Sequence, residues 1–277
     1  MSTSERLHVV DHDQPHISIL DLGVTRGDGI FEVLGVMDGR PQAIEAHQRR
    51  LANSAAMLDL PELDLDAIEA AIHRVIELSS PAPERLVKVV VTRGIEGGDQ
   101  ATCWVVALES NGFASERTDG ISVAVLDRGY PHDIALRAPW LLAGAKTLSY
   151  AVNKAALREA ERRGADDVLF VSSDGYVLEG PTSTLIARFG NRVWTPATAL
   201  GLLPGTTQEA IFTYLVSRGY ATAQGLFRIE QLVKADALWL TSSVRLLAPI
   251  RQVDDVVVPV DHTFTDEINE YLKARTS

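Results

Sequence analysis

The chain has 277 residues, and 26 Lys and Arg against 37 Asp and Glu give a formal net charge of −11. At the usual ~150 residues per domain, this length predicts two domains or one large one. A composition of 46% hydrophobic and 23% charged residues excludes an intrinsically disordered chain. The excess of acid argues against a nucleic-acid partner, because binding phosphates requires clustered Lys and Arg.

A single cysteine, Cys103, excludes an internal disulfide. Its neighbours in 101–108 are typical of a buried strand, where a free Cys acts as a small hydrophobic residue. The N-terminal residues lack a basic start followed by a long apolar run, so we expect no secretory signal. No uncharged apolar stretch approaches the ~20 residues that span a bilayer. These features predict a cytoplasmic protein without a membrane segment.

Hydrophobic periodicity predicts both strands and helices in the first 110 residues. Short apolar runs indicate strands, and apolar residues three and four apart indicate helices. The predicted elements are one or two short strands within 1–20, strands over 30–36, 86–92 and 104–108, a helix over 44–58 and a second helix that begins near Asp64.

The stretch 109–118 is polar and rich in small residues, which predicts a linker. Beyond it, the predicted elements are strands over 121–126, 168–172, 176–178, 185–188, 192–194 and 238–241, a helix over 150–163 and a helix from Gly205 to Gly219. The sequence therefore predicts an α+β fold with two domains, 1–114 and 115–277.

Motifs that define several enzyme classes are missing from the sequence. His8, His12 and His16 are four residues apart, but Pro15 and strand-like neighbours keep them off a common helix face, so we predict no metal site. The chain has no Cys-x-x-Cys, Gly-x-Ser-x-Gly or Gly-x-x-x-x-Gly-Lys motif, which disfavours zinc, hydrolase and P-loop sites.

Lys146 stands just before a predicted helix, in the apolar and small-residue stretch 143–150. An apolar setting disfavours the charged ammonium, and a neutral amine is a nucleophile towards carbonyl groups. The alternative is a lysine whose ammonium reaches solvent at the helix start. A cation at that end opposes the helix dipole, which weakens this alternative.

Three later segments carry groups that a phosphorylated aldehyde cofactor requires. Glu179 is a carboxylate at a predicted strand end, and small residues follow it. The Gly-Thr-Thr of 205–207 opens a helix, where backbone N–H groups and the dipole favour a phosphate. The segment 241–244 offers further hydroxyl and N–H donors after a strand. Each signal is weak alone, since many helices begin with such residues, but their order after Lys146 indicates one cofactor site.

With these segments the sequence resembles the fold-type IV pyridoxal 5′-phosphate (PLP) enzymes, which include branched-chain aminotransferase, D-amino-acid aminotransferase and aminodeoxychorismate lyase. The matching segments are 27–32, 47–51, 144–146, 174–180, 195–196, 203–207 and 241–249. The resemblance implies a small N-terminal domain, a larger C-terminal domain, PLP in the cleft between them and a homodimer.

The resemblance also implies roles for individual residues. Lys146 forms the Schiff base with the cofactor aldehyde and then moves the proton. Glu179 pairs with the pyridine nitrogen. The phosphate is bound by Arg50 together with Thr206, Thr207, Ser243 and Val244. Arg49, about 100° away from Arg50 around a helix, is expected at the surface.

Among these enzymes the resemblance is greatest to the lyase, chiefly over 144–148. The segment 92–99 lacks the Arg-x-His pair of D-amino-acid aminotransferases, and 147–150 is one residue shorter than the branched-chain pattern. We therefore predict a lyase that forms 4-aminobenzoate and pyruvate in folate synthesis. A class IV aminotransferase acting on branched-chain or D-amino acids is the alternative, and a non-catalytic binding module is a third. Candidate partners for an anionic substrate are Arg93, Arg137 and Arg245.

Overall fold

The computed structural model describes residues 7–9, 16–110 and 112–275. The chain divides into two compact units. The first comprises Met1–Asn111, Ala145–Tyr150 and Arg275–Ser277, and the second comprises Gly112–Gly144 and Ala151–Ala274. The chain therefore returns to the first unit for six residues that include Lys146. In the described part of the chain, no helix has the length and apolar character needed to cross a membrane.

The first unit is built on a sheet in the strand order β1-β5-β4-β2-β3. Its strands are β1 (Leu7–Val9), β2 (Gly29–Met37), β3 (Arg40–Pro41), β4 (Glu84–Thr92) and β5 (Thr102–Glu109), and its helices are α1 (Leu22–Thr25), α2 (Ile44–Met57) and α3 (Leu65–Leu78). Strand β2 is antiparallel to β3 and β4, β4 is antiparallel to β5, and β1 is parallel to β5.

The two long helices of this unit bury different kinds of side chain. Helix α3 begins after Asp64, whose carboxylate accepts a hydrogen bond from the Ala67 N–H at 2.9 Å. Its buried stripe is wholly apolar and consists of Ile68, Ala71, Ile72 and Val75. Helix α2 instead buries three polar side chains beside its apolar ones, namely His47, Arg50 and Ser54. Because buried polar groups require partners, this face of α2 points to a site.

The second unit contains a larger sheet in the order β10-β9-β8-β11-β12-β6-β7, with β13 paired to β12. Its strands are β6 (Ile121–Asp127), β7 (Asp167–Val171), β8 (Thr184–Phe189), β9 (Arg192–Pro196), β10 (Ala221–Gly225), β11 (Ala237–Ser242), β12 (Leu246–Val253) and β13 (Val256–Val257). Its helices are α4 (Ala114–Asp119), α5 (Ile134–Arg137), α6 (Ala151–Arg162), α7 (Thr206–Ser217), α8 (Ile229–Leu232) and α9 (His262–Ala274).

The centre of this sheet positions one segment that the sequence singles out, the connection between β11 and β12. Trp239 on β11 is fully buried, and its indole N–H donates to the Thr265 hydroxyl at 2.8 Å. Strand β11 ends at Ser242 and β12 begins opposite it at Leu246. Residues 243–245 therefore form a three-residue turn at the end of a rigid hairpin.

Most predicted elements are confirmed to within two residues at each end, including the long helices over 44–58 and 150–163. Two predictions are wrong. Part of the predicted linker over 109–118 is helix α4, and 176–178 forms only isolated bridges rather than a strand. The N–H groups of Val177 and Leu178 donate to Phe227 and Phe170, and the Arg117 side chain of α4 donates to the carbonyls of Val244 and Arg245; local composition reveals none of these bonds.

Candidate active site

Lys146 is fixed by main-chain hydrogen bonds to two elements of the first unit. The Phe31 N–H donates to the Lys146 carbonyl at 3.0 Å, and the Leu148 N–H donates to the Gly29 carbonyl at 2.8 Å. The segment around Lys146 thus runs antiparallel to the start of β2. The Lys146 N–H donates to the Ser54 hydroxyl on α2 at 3.2 Å. These bonds hold the lysine backbone against both the sheet and the helix.

The ring of Phe31 contacts the ammonium groups of two lysines. Its centroid lies 4.6 Å from Nζ of Lys146 and 5.1 Å from Nζ of Lys88 on β4. The Tyr150 ring packs edge-on against Phe31, with 5.4 Å between centroids. Burial lowers the pKa of Lys88 from its ordinary value. Among the described residues, no carboxylate forms an ion pair with Lys88, so a second cation without a counter-ion lies beside the ring that Lys146 contacts.

Glu32, the next residue of β2, is buried and binds two side chains of α2. Nε and Nη2 of Arg50 each donate to one oxygen of this carboxylate, both at 2.7 Å. Nδ1 of His47 lies 2.7 Å from Glu32 Oε2. Burial alone would raise the pKa of Glu32, but the charge and hydrogen bonds of Arg50, together with those of His47, hold it well below its usual range. Glu32 therefore stays ionised and orients Arg50.

His47 gives the protein a testable pH dependence. Burial, the largest effect, lowers its pKa below the ordinary 6.5 despite the nearby Glu32. Below pH 6.5 the unfolded chain therefore binds a proton that the folded chain does not. The resulting contribution to stability is complete above pH 6.5 and falls on acidification by about 1.4 kcal/mol per pH unit until the folded pKa is reached.

We expect His47→Gln to reduce the slope of unfolding free energy against pH just below pH 6.5, measured by urea unfolding. His73→Gln, at an exposed histidine of α3, is the control and should keep the wild-type slope. Equal slopes for the two variants would contradict a neutral, buried His47.

In the second unit, hydroxyl groups gather at the start of α7. Thr206 and Thr207 are its first two residues, and the hydroxyl oxygen of each lies 3.4 Å from the Ser243 hydroxyl. All three side chains are buried. The N-cap residue of this helix, Gly205, has no side chain to cap the N-terminus. The first N–H groups of a helix have no partner within the helix, so the hydroxyls and amides together form a set of neutral donors for an anion.

The N-cap residue Gly205 keeps the space in front of these donors open. A Cβ atom at this position would come within 2.5 Å of the Thr184 hydroxyl oxygen. Thr184 pairs in register with Thr241, so both side chains lie on the same face of the sheet. The Thr241 hydroxyl is buried and has no hydrogen-bond partner in the described part of the chain. A small anion with several acceptor oxygens fits this donor set.

Glu179 provides the carboxylate of the second unit. Its Oε1 atom accepts a hydrogen bond from the Leu203 N–H at 3.3 Å, two residues before Gly205. Its main-chain carbonyl accepts one from the Phe170 N–H at 3.0 Å. The segment that carries Glu179 is therefore bonded both to β7 and to the approach to α7. A carboxylate held in this way can keep a ring nitrogen protonated.

The predicted site residues fall into two groups. Arg50 and Lys146 belong to the first unit, where α2 bonds to Lys146 through Ser54. The second unit holds Glu179, Thr206, Thr207, Ser243 and Val244. Arg49 is exposed, as predicted. Sequence reasoning missed Glu32, Ser54 and Lys88. Glu32 could have been found from the sequence, because it is a charged residue within the otherwise apolar strand over 30–36.

The three arginines considered for an anionic substrate each have a carboxylate partner already. Arg245 is also buried, and Arg93 donates to the carbonyls of Leu58 and Asp59 besides its carboxylate. The pairs are Arg93–Asp28 at 2.7 Å, Arg137–Asp133 at 2.7 Å and Arg245–Asp167 at 2.6 Å. Each of these arginines is already paired with a carboxylate of the protein, so Lys88 is the stronger candidate for binding an anionic substrate.

Two other sequence features are the single cysteine and the three spaced histidines. Cys103 is buried on β5, and burial raises the pKa of its thiol to about 12, so the thiol is protonated at neutral pH. Within the described residues, no group of three or more His, Cys, Asp or Glu side chains is arranged to hold a metal ion. His12 lies outside those residues, and His16 is exposed.

The profile of the class IV amino-transferase family matches residues 29–253. The chain therefore belongs to this family and has the fold of the fold-type IV PLP enzymes. A curated relative, the bifunctional aminodeoxychorismate lyase / D-amino acid transaminase of Mycobacterium tuberculosis, is 43% identical over 261 residues, which cover 89% of this chain and 90% of the relative.

Solved structures agree with this assignment. The fold IV-transaminase CpuTA1 from Curtobacterium pusillum is 51% identical with a TM-score of 0.93, and the match covers 96% of this chain and 93% of that one. A hypothetical aminotransferase from Mycobacterium tuberculosis, in a PLP-bound form, is 39% identical with a TM-score of 0.92 over 96% of both chains. The family is PLP-dependent, and its members include both lyases and aminotransferases.

Proposed function

We propose that this chain is a PLP-dependent lyase that converts 4-amino-4-deoxychorismate into 4-aminobenzoate and pyruvate. The observation that carries the proposal is the Lys88 ammonium, which has no counter-ion in the described chain and contacts the same aromatic ring as Lys146. The substrate is a dianion, and a half-buried cation beside the reactive amine is suited to bind one of its carboxylates. The 43% identity to a bifunctional lyase and transaminase supports the choice.

The donor chemistry of the site fits PLP. The phosphate would be bound by the hydroxyls and N–H groups of Thr206, Thr207, Ser243 and Val244, with Arg50 oriented by Glu32. Glu179 would hold the proton on the pyridine nitrogen, and Lys146 would carry the aldehyde. When bound, PLP takes up the substrate amine and withdraws electrons from the carbon that bears it.

The residues of this chain then have two tasks, holding the substrate and moving one proton. The Lys88 ammonium binds a substrate carboxylate and so orients the ring. The Lys146 amine accepts the proton from C4, and the bond from C3 to the enolpyruvyl oxygen breaks as the ring becomes aromatic. Lys146 then returns the proton to the methylene carbon of enolpyruvate, which gives pyruvate. The bonds from Ser54 and β2 fix the lysine backbone for both transfers.

Purified protein mixed with aminodeoxychorismate should release 4-aminobenzoate and pyruvate in equal amounts. Chromatography measures the first product, and a coupled lactate dehydrogenase assay measures the second. Product no greater than in a Lys146→Ala control would contradict the lyase proposal.

We expect Lys88→Met to raise KM for aminodeoxychorismate by about 10- to 100-fold, the usual loss when a charge-assisted hydrogen bond is removed. Lys88→Arg keeps the charge and should restore part of the affinity. The control is Lys154→Met, at an exposed lysine of α6. If KM is the same for Lys88→Met and Lys154→Met, Lys88 does not bind the substrate.

Transamination is the second candidate, favoured by the 51% identity to a fold IV-transaminase. In that case an amino acid alone, D-alanine or a branched-chain amino acid, converts the absorbance of the lysine-bound cofactor to that of pyridoxamine phosphate. A keto acid then reverses the change. Lyase turnover needs no keto acid, so the two reactions are separable in one cuvette. Protein purified without any visible cofactor band would instead favour the non-catalytic binding module.

We also propose that the chain forms a homodimer, as is common in this family. Sedimentation equilibrium of the PLP-loaded protein tests this, and a monomer at micromolar concentration would contradict it.

A further inference from the structure

The turn 243–245 is anchored by a buried arginine on helix α4. Nε of Arg117 donates to the carbonyl of Arg245 at 2.8 Å, and its Nη2 donates to the carbonyl of Val244 at 3.0 Å. Only 7% of Arg117 is exposed. Its guanidinium therefore bonds the carbonyls of two successive residues, which anchors the chain directly after Ser243.

The side chain of Arg245 extends this anchor to the segment after Glu179. Its Nη1 donates to Asp167 Oδ2 at 2.6 Å and to the Ser183 hydroxyl at 2.8 Å. Its Nε lies 2.6 Å from Oε2 of Glu116, the neighbour of Arg117 on α4. Helix α4, strand β7 and the end of the Glu179 segment are thus joined through one turn.

The backbone of the turn requires such support. Leu246, the first residue after the turn, has a φ of 63° although it is a buried leucine. Residues with a Cβ atom rarely adopt this left-handed conformation, and they keep it where surrounding contacts determine it. The Arg245 N–H also donates to the Ser242 hydroxyl at 3.3 Å, a long bond that adds little. The two bonds from Arg117 restrain the main chain of the turn directly, beside the contacts of the Arg245 side chain.

We propose that Arg117 is a positioning residue for phosphate binding, which acts by holding the Ser243 and Val244 donors in place through the carbonyls of Val244 and Arg245. This inference rests on the proposed PLP function, because the hydroxyl of Ser243 belongs to the same donor set as Thr206 and Thr207. Arg117 itself makes no contact with the phosphate in this arrangement. Its loss loosens the turn and leaves the donors on α7 intact.

The test compares cofactors with and without the phosphate. Dissociation constants for PLP and for pyridoxal are measured by absorbance titration of the apo forms of the unaltered protein, Arg117→Met, Arg117→Lys and Arg188→Met. Arg188 is a matched control, because it is a mostly buried arginine of the same unit that pairs with Asp261 at 2.7 Å, outside the proposed site. Circular dichroism establishes the temperature range in which each variant is folded.

We expect Arg117→Met to raise the dissociation constant for PLP by at least about tenfold, while that for pyridoxal changes by less than about threefold. Arg117→Lys retains a cation able to reach one carbonyl, so its dissociation constant for PLP should lie between those of the unaltered protein and Arg117→Met. It remains informative if Arg117→Met does not fold. Arg188→Met should bind both compounds like the unaltered protein.

Equal weakening of PLP and pyridoxal binding in the Arg117 variants would assign Arg117 a general structural role and overturn this inference. An unchanged PLP affinity in these variants would also overturn it, and would leave the proposed function standing. Failure of the unaltered protein to bind PLP would overturn both.

Discussion

Replacement of Lys146 by alanine is expected to lower kcat for 4-aminobenzoate formation by at least about 10³-fold, equivalent to about 4 kcal/mol of activation free energy. The amine has two tasks in the proposed reaction, the bond to the cofactor aldehyde and the proton transfer from C4, and no other group takes over both. The visible band of the lysine-bound cofactor should be lost as well. Rate measurements at saturating substrate and an absorbance spectrum test the two effects.

The variant should remain folded, because the hydrogen bonds that join Lys146 to β2 and to Ser54 come from its main chain, which alanine retains. Its thermal unfolding should therefore match that of the unaltered apo protein. Lys154→Ala, at an exposed lysine of the following helix, should keep both full activity and the visible band. Activity above about 1% of the unaltered value in Lys146→Ala would show that another group transfers the proton.

The second large effect concerns stability. Glu32→Gln is expected to reduce the free energy of unfolding of the apo protein by about 3–5 kcal/mol, because it leaves the buried Arg50 without its carboxylate. Typical domains are stable by only about 5–15 kcal/mol, so this is a large fraction of the total. Urea unfolding measures the loss, and hydrogen exchange of the β2 and β4 amides should locate it in the first unit.

Glu159→Gln is a close control, since Glu159 also pairs with two arginines, Arg162 and Arg163, but at the surface. That variant should unfold like the original protein, because exposed ion pairs contribute little. The double variant Glu32→Leu with Arg50→Met should be more stable than Glu32→Gln alone, because it buries no unpaired charge. A Glu32→Gln variant as stable as Glu159→Gln would show that water reaches this cluster.

The sequence predicts the elements well because their apolar periodicity is local. The stripe of α3 and the valine-rich strand over 86–92 reveal their class from within a dozen residues. Lys146 is recognisable as a candidate for the same reason, since its apolar neighbours are adjacent in the chain. The order of Lys146, Glu179 and the Gly-Thr-Thr of 205–207 then indicates the cofactor class.

Long-range pairing, by contrast, leaves little trace in the sequence. Nothing near Lys146 indicates that it bonds to β2 or that Lys88 shares its aromatic neighbour. Arg93 and Arg245 are paired with Asp28 and Asp167, which are more than sixty residues away in the chain, so the sequence around each arginine does not reveal its partner. Arg117 falls in a segment whose composition predicts a linker. Composition does not reveal its role, because the two carbonyls that Arg117 binds lie more than a hundred residues later in the chain.

The return of 145–150 to the first unit has a consequence for protein synthesis. While the nascent chain is shorter than this, the main-chain groups of Gly29 and Phe31 lie on an open sheet edge, and open edges invite pairing with other chains. The same six residues that close this edge carry the reactive amine. When residues 145–150 have been synthesised, they close this sheet edge and supply the Lys146 amine at the same time. A fragment that ends before residue 145 keeps the open edge and lacks the nucleophile.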